Sequence, residues 1–291
     1  MSWRIVVVTK PSKLDLKLGY LVVRDSEKTI KIHIREISVL IVETTFSSIT
    51  TALMNELIKQ KVKVIFCDEK QNPVSELVSI YGCHDSSLKL RTQIQWLEGI
   101  KHEIWTAIVT EKIRNQAKTL EYFDLNEATK LYEYINEMTF NDETNREGHA
   151  AKVYFNALFG NEFSRSSECP INAALNYGYG IILSCINREI ACCGYSTQLG
   201  IFHDNMFNHF NLSCDFMEPF RPIVDRYVKE MNPTKFDHEE KIKILSLLND
   251  EFIIDDRKQT LLNTIKIYTK SVLDAIEMKD SAFIKFYRYE L

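Results

Sequence analysis

YGCHDSSLKL, residues 81–90, divides this chain into two chemically different parts. Before it, apolar residues come in short runs, several alternating with polar ones, which is the period of strands. After Ser87 almost every segment repeats its apolar residues at helical spacing. The stretch itself is short and polar, the composition of a connector. The fold class that follows is α+β. A small, mostly β N-terminal domain covers 1–80, a linker covers 81–90, and a larger, all-helical domain covers 91–291.

Upstream of the connector, Trp3–Thr9, Lys13–Leu18, Tyr20–Arg24, Thr29–Ile34, Val39–Glu43 and Val62–Cys67 read as strands. Thr29–Ile34 alternates polar and apolar, as a half-buried antiparallel strand should. Between Ser48 and Gln60, ITTALMNELIKQ has helical spacing. Downstream, helices are expected near 88–118, 121–137, 145–159, 170–193, 219–231, 237–249 and 258–278, with Asp124 and Asn126 able to break or cap the second. The 170–193 segment is apolar on most sides and reads as central. Its Asn172, Asn176 and Tyr179 form one polar strip, through interhelical hydrogen bonds or as the lining of a cleft.

The 291 residues allow one large domain or two ordinary ones, and 45% hydrophobic content supplies a substantial core. No apolar run of about 18 residues occurs, so no membrane span is expected. MSWRIVVVTKPSKL lacks the regions of a signal peptide. The seven cysteines follow no disulfide-like spacing and suit a reduced, cytoplasmic setting. Cys192 and Cys193 read as small core residues, and Cys67 and Cys83 as too isolated for zinc. The net charge of −4 is unevenly spread. Residues 1–84 carry 12 basic against 9 acidic side chains, a balance of +3, and the remainder carries 24 against 31, a balance of −7. A nucleic-acid partner would need a local basic stripe or help from other subunits.

Three residues stand where a reading of the fold alone would not put them. Glu147 opens NREGHAAKVYFNALF, a helix with Asn145 as N-cap. On a helical wheel it falls within the apolar stripe of Ala151, Tyr154 and Leu158, opposite His149, Lys152 and Asn156. A carboxylate aimed at a core needs a metal ion, an arginine or a buried donor. Gly200 breaks the chain just before His203. Glu218 directly precedes Pro219, which should push it out of the α region and place it at the mouth of a helix that begins at Pro219 or Pro222. One imidazole with two carboxylates is a mixed set suited to Mn²⁺ or Mg²⁺. Asp215 is a candidate fourth ligand or water-holder. The spacings match no strict metal signature, and a dipole-stabilising acid, a turn histidine and a cap-region acid are the plain alternatives.

These segments carry a resemblance. With Trp3–Val8, Glu43–Thr45, Val64–Lys70 and Tyr81–Leu90, the stretches Asn145–Arg165, Asn172–Ser184, Leu199–His203 and Met217–Pro222 make the chain similar along its length to the integrase of CRISPR adaptation, the spacer-acquisition endonuclease, in its type II-A form. The resemblance implies an N-terminal β domain that forms a homodimer and a helical domain that carries the metal site. It implies that Glu147, His203 and Glu218 hold Mg²⁺ or Mn²⁺ and are the catalytic set, with Glu218 where many relatives have Asp. It implies joining of a DNA 3′-hydroxyl to a phosphodiester at the edge of a CRISPR repeat. The implied partners are double-stranded DNA and a small second adaptation protein that bridges two dimers. Lys89, Arg91, Arg146, Lys152, Arg165, Arg188 and Arg221 are then the candidates for DNA contact. The cytoplasm of a prokaryote is the implied setting.

Overall fold

The computed structural model describes residues 4–78 and 83–288. Trp3 of the first expected strand, and 81–82 of the expected linker, lie outside the described residues. Two compact units divide the chain, Met1–Gly82 and Cys83–Leu291.

The first unit contains strands β1 (Arg4–Val8), β2 (Lys13–Lys17), β3 (Tyr20–Arg24), β4 (Thr29–His33), β5 (Ile37–Val42) and β6 (Ser48–Ile49), helix α1 (Thr51–Lys59), and strands β7 (Lys63–Cys67) and β8 (Pro73–Leu77). They form two four-stranded sheets, β1-β5-β7-β8 and β4-β3-β2-β6. In the first sheet β5 runs parallel to both β1 and β7. That accounts for ISVLIV, in which all six residues are buried: an inner parallel strand has no face left for water. β4, at an edge, is exposed over its first three residues, and Lys31 there discourages pairing with another chain. Leu14, Leu21, Leu40, Leu53, Leu57 and Val64 meet in the core of this unit. Two strands escaped the sequence reading: β6, at the start of the segment read as helix, and β8, in a stretch to which no element was assigned.

The second unit contains α2 (Ser86–Ile94), α3 (Glu98–Tyr122), α4 (Ala128–Asn136), α5 (Arg146–Phe159), α6 (Pro170–Cys192), α7 (Asn211–Met217), α8 (Arg221–Met231) and α9 (His238–Ser246). A hairpin of β9 (Glu251–Ile254) and β10 (Arg257–Thr260) follows, and then α10 (Leu261–Met278). The hairpin corrects the all-helical reading of this region. Asp255 and Asp256 both take positive φ, as a two-residue hairpin turn requires, so residues 258–260 are strand and not helix. The expected helix at 88–118 is two helices, separated at Gln95–Leu97. Asp124, at a φ of 54°, closes the turn after α3, and α4 starts only at Ala128.

α3 and α6 are buried on most sides and position the rest. α3 packs on α4, α5, α8 and α10, and α6 packs on α7, α8, α9 and α10. At Gly178 the backbone of α6 meets α8 so closely that a Cβ there would lie 2.4 Å from Val224 Cγ1. α3 carries an unusual load for an inner helix: Glu111, Lys112, Asn115, Gln116 and Thr119 are all buried.

Candidate active site

Glu147 is fixed by the start of α5. Asn145 lies in the left-handed region, and its side chain accepts from the Gly148 N–H. Asp142 accepts from the Arg146 N–H at 2.7 Å and the Glu147 N–H at 3.0 Å. Three of the orphan donors at this helix end are thereby satisfied. The buried stripe of α5 is Ala150, Tyr154 and Leu158, with Ala151 at its margin, and Glu147 sits at the stripe's N-terminal end, half-buried.

Glu218 sits differently from the sequence expectation. It is helical, at φ −52° and ψ −44° despite the following proline, and it joins α7 through a 3-10 turn to α8. Pro219 lies in the first turn of a new helical segment, where its missing N–H costs nothing. The chain from Asn211 to Met231 is thus helical almost throughout, and the packing of Phe216, Met217 and Phe220 into the core holds it so. This leaves Glu218 buried, 3% exposed.

The two acids meet at a residue that the sequence reading missed. Lys112 Nζ lies 2.5 Å from Glu147 Oε1 and 2.5 Å from Glu218 Oε2. The first contact is a hydrogen bond. The second is an ion pair, so Glu218 Oε2 is buried directly against a charged neighbour. Arg221 Nε donates to the other oxygen, Oε1, at 2.9 Å. Burial disfavours the Glu218 carboxylate, but Arg221 and Lys112 outweigh it and hold the group ionised, below its usual range. Burial likewise opposes the Lys112 ammonium, and Glu218 and Glu147 together overcome it. Lys112 follows Trp105 and Ile108 on one stripe of α3. That is the signal that singled out Glu147: a charge on an apolar stripe.

His203 is placed by Asp215. The carboxylate of Asp215 is fully buried and accepts the backbone N–H groups of Ile201, Phe202 and His203, at 2.7, 3.2 and 3.0 Å. It also meets His203 Nδ1 at 2.6 Å. Gly200 makes this loop possible, since a Cβ there would lie 2.2 Å from the His203 carbonyl oxygen. Trp105, buried, stacks on Phe202 at 4.1 Å and meets the His203 ring edge-on at 5.7 Å. The Asp215 hydrogen bond raises the His203 pKa, burial opposes it, and the charges of Glu218 and Glu147 add to it. In the neutral ring a carboxylate at Nδ1 favours the proton on that nitrogen, which leaves the lone pair on Nε2. Nε2 has no partner among the described residues. Both oxygens of Asp215 are engaged, so its place is to orient His203.

These features suit a hard divalent cation: two acids that already share a positive charge, one of them with a buried carboxylate oxygen, and an imidazole whose Nδ1 is taken by a carboxylate. Glu147, His203 and Glu218 would be its ligands. Among the described residues, the one trio of His, Cys, Asp or Glu whose ligand atoms all lie within 4.8 Å of one another is elsewhere, at Cys83, His84 and Asp85. Cys83 is therefore less isolated than its sequence context implied, and its thiol donates to Asp85 at 2.6 Å. Around Lys112 the three candidate ligands stand farther apart than that.

The basic candidates separate into tied and untied groups. Lys89 pairs with Glu277 at 2.7 Å, Arg146 with Glu137 at 3.0 Å, and Arg188 with Glu189. Arg165 bonds Asn172 and, at 2.7 Å, Asn176, so part of the polar strip on α6 receives this arginine. Tyr179, the third member, lies under both Arg165 and Arg221 and donates to the buried Asp225. Arg91 and Lys152 are exposed and have no ion pair among the described residues.

The arrangement can be set beside known proteins. The family model for CRISPR associated protein Cas1 matches residues 5–252. The CRISPR-associated endonuclease Cas1 of Neisseria meningitidis serogroup C is 33% identical over 226 residues, covering 77% of this chain and 74% of that protein. Among solved structures, a casposase bound to its integration product superposes with a TM-score of 0.78 at 17% identity, covering 96% of this chain and 92% of that one. A chain of a Cas6-RT-Cas1–Cas2 complex gives 0.74 at 18% identity, covering 97% of this chain and 36% of that one. The last two likenesses show the shared fold, of strands first and helices after. The family model spans both units, including Glu147, His203 and Glu218, and the chain belongs to the Cas1 family of CRISPR-associated proteins.

Proposed function

We propose that this protein is a metal-dependent DNA integrase and endonuclease that inserts short DNA fragments into a CRISPR array, in the type II-A form of the family. One observation carries the reading: Glu147 and Glu218 converge on a shared positive charge beside an imidazole whose Nδ1 is held by Asp215, with Nε2 directed away from that contact. A Mg²⁺ or Mn²⁺ ion held there would polarise the target phosphate and lower the pKa of the attacking hydroxyl.

The reaction is a direct transesterification. The 3′-oxygen of the fragment forms a new bond to phosphorus, and the 3′-oxygen of the target strand leaves and takes up a proton. One phosphodiester is broken and one is made, without a covalent protein intermediate. The same site with water as nucleophile cuts DNA. In this reading Glu147, His203 and Glu218 hold the ion, Asp215 fixes the imidazole, and Arg221 keeps Glu218 ionised. Arg91 and Lys152 supply free positive charge for the DNA backbone. The protein works as a homodimer through its N-terminal unit, with a second small protein such as the Cas2 named in the complex above, on double-stranded DNA and away from membranes. No described helix is long and apolar enough to cross a membrane.

A second reading has its own support. Lys112 neutralises both acids, as it would in a DNA-binding scaffold that uses them only for packing. Strand transfer of a labelled fragment into a repeat-containing plasmid separates the two. Joining that EDTA abolishes and added Mg²⁺ or Mn²⁺ restores is the expected result. Absence of joining with every ion leaves the scaffold, and cutting without preference for repeat ends indicates a general nuclease.

A further inference from the structure

A buried ammonium stands where two of the three proposed ligands meet. Lys112 projects from α3, a helix separate from those that carry Glu147 and Glu218, and its side chain is 10% exposed. Two carboxylates brought together in a buried site repel unless a cation lies between them, and a buried cation needs anions in return. Lys112 meets both requirements. Arg221 pairs with Glu218 through Oε1 and leaves the shared space to Lys112.

The two oxygens each lie 2.5 Å from one nitrogen, so the gap between them is no wider than twice that distance. Mg²⁺ binds oxygen at roughly 2.0–2.1 Å, and an ion that used both oxygens would take the two contacts that now hold Nζ. The ammonium and the ion therefore compete for the same two acids. The ammonium takes two anionic groups and leaves His203 Nε2 without a partner, whereas a divalent ion takes all three and carries twice the charge.

We propose that Lys112 is a built-in counter-cation of this site: it holds Glu147 and Glu218 together in the ion-free protein, and a divalent ion binds by displacing it. The inference rests on the reading of Glu147, His203 and Glu218 as ion ligands. Lys112 then keeps the acids in place before the ion arrives, and by competing it sets how much free ion the site needs.

The test measures ion binding and not DNA joining. Mn²⁺ affinity is determined for the full-length wild type, Lys112→Met and His203→Ala by electron paramagnetic resonance of free Mn²⁺. Removal of a competing unit charge from a poorly screened site should tighten Mn²⁺ binding by about tenfold or more. Without Mn²⁺ the thermal midpoint of Lys112→Met should fall below that of wild type, and saturating Mn²⁺ should raise it by more than it raises wild type. A folded Lys112→Met that binds Mn²⁺ no more tightly than wild type overturns the proposal. Should the variant fail to fold, amine labelling of the wild type read by mass spectrometry decides: Mn²⁺ should increase modification of Lys112, and unchanged modification overturns the proposal. Equal Mn²⁺ affinity in wild type and His203→Ala brings down the ion-site reading itself, and the inference with it.

Discussion

His203 Nδ1 and Asp215 Oδ1 are 2.6 Å apart, and the same carboxylate accepts the backbone N–H groups of residues 201–203. One buried side chain thus fixes both the loop and the imidazole ring. The loop is also held by the Trp105–Phe202 stack and by Asn211, which donates to the Gln198 and Asn205 carbonyls, while Met206 and Phe207 are exposed. Loss of this support should cost function before it costs the fold. Asp215→Asn is expected to lower Mn²⁺ affinity by roughly 10- to 100-fold while far-UV circular dichroism stays unchanged. Affinity equal to wild type would show that His203 is not a ligand.

Glu218 should be indispensable for strand transfer and also costly to remove. Its two oxygens face Arg221 and Lys112, so Glu218→Ala leaves buried positive charge behind, with an expected loss of about 3–5 kcal/mol. Glu218→Gln keeps the shape and is the cleaner probe. Joining should fall below detection, with a smaller drop in thermal midpoint than in the alanine variant. Wild-type joining rates in Glu218→Gln would remove it from the catalytic set.

Asp225 gives a signed pH dependence. It is buried and accepts from Tyr154 at 3.0 Å and from Tyr179. Burial pushes its carboxyl up to about 6, against the two hydroxyls and Arg221, which pull it down. The unfolded chain releases this proton near pH 3.9, so between about pH 4 and 6 the folded protein holds a proton that the unfolded chain does not. The contribution to stability is fully present below the unfolded value and is lost as pH rises through the folded one. The loss is on the order of 3 kcal/mol, because each tenfold difference in proton affinity between the folded and unfolded states is worth about 1.4 kcal/mol. Asp225→Asn cannot ionise, so its stability relative to wild type should climb from pH 4 to pH 7 in urea titrations. A flat difference would show that Asp225 does not titrate in this range.

Gly178→Ala tests the contact between α6 and α8. The added methyl would lie 2.4 Å from Val224 Cγ1, with Ile244 Cγ2 at 3.4 Å. Overpacking of this kind costs about 1–3 kcal/mol, measurable as a lower urea midpoint. Val224→Ala in the same chain should recover part of it by making room, and no recovery would place the strain elsewhere.

DNA binding should be steeply salt-dependent, because it must come from phosphate neutralisation by a chain of net charge −4. Arg91→Ala and Lys152→Ala should each weaken binding and reduce the slope of log affinity against log salt by about one. Lys89→Ala, which removes a residue paired with Glu277, should change the slope less. Equal effects from all three would show that the ion pair gives way to DNA.

The sequence determined most of what is local. The change from period two to helical spacing near 81–90 marked the division into strands and helices. Strand Tyr20–Arg24 agrees to the residue, because a short apolar run rich in valine is bounded by the turn-forming Gly19 and Asp25. Asn145 was legible as a cap, since capping depends on residues three positions apart. Glu147 and Glu218 stood out because a carboxylate in apolar company needs a partner. What that partner is, the sequence did not say: Lys112 is 35 residues from Glu147 along the chain, and only the packing of α3 against α5 brings them together. Tertiary contacts also overrode two local rules. Glu218 is helical before a proline because burial of its neighbours outweighs the steric preference, and β6 is a strand within a helical pattern because β2 offers it hydrogen bonds. Local propensity is worth tenths of a kilocalorie per residue, and buried charge and core packing are worth several. The elements were therefore readable in order, while the meeting of two acids, a lysine and an oriented histidine was decided only when the helices packed.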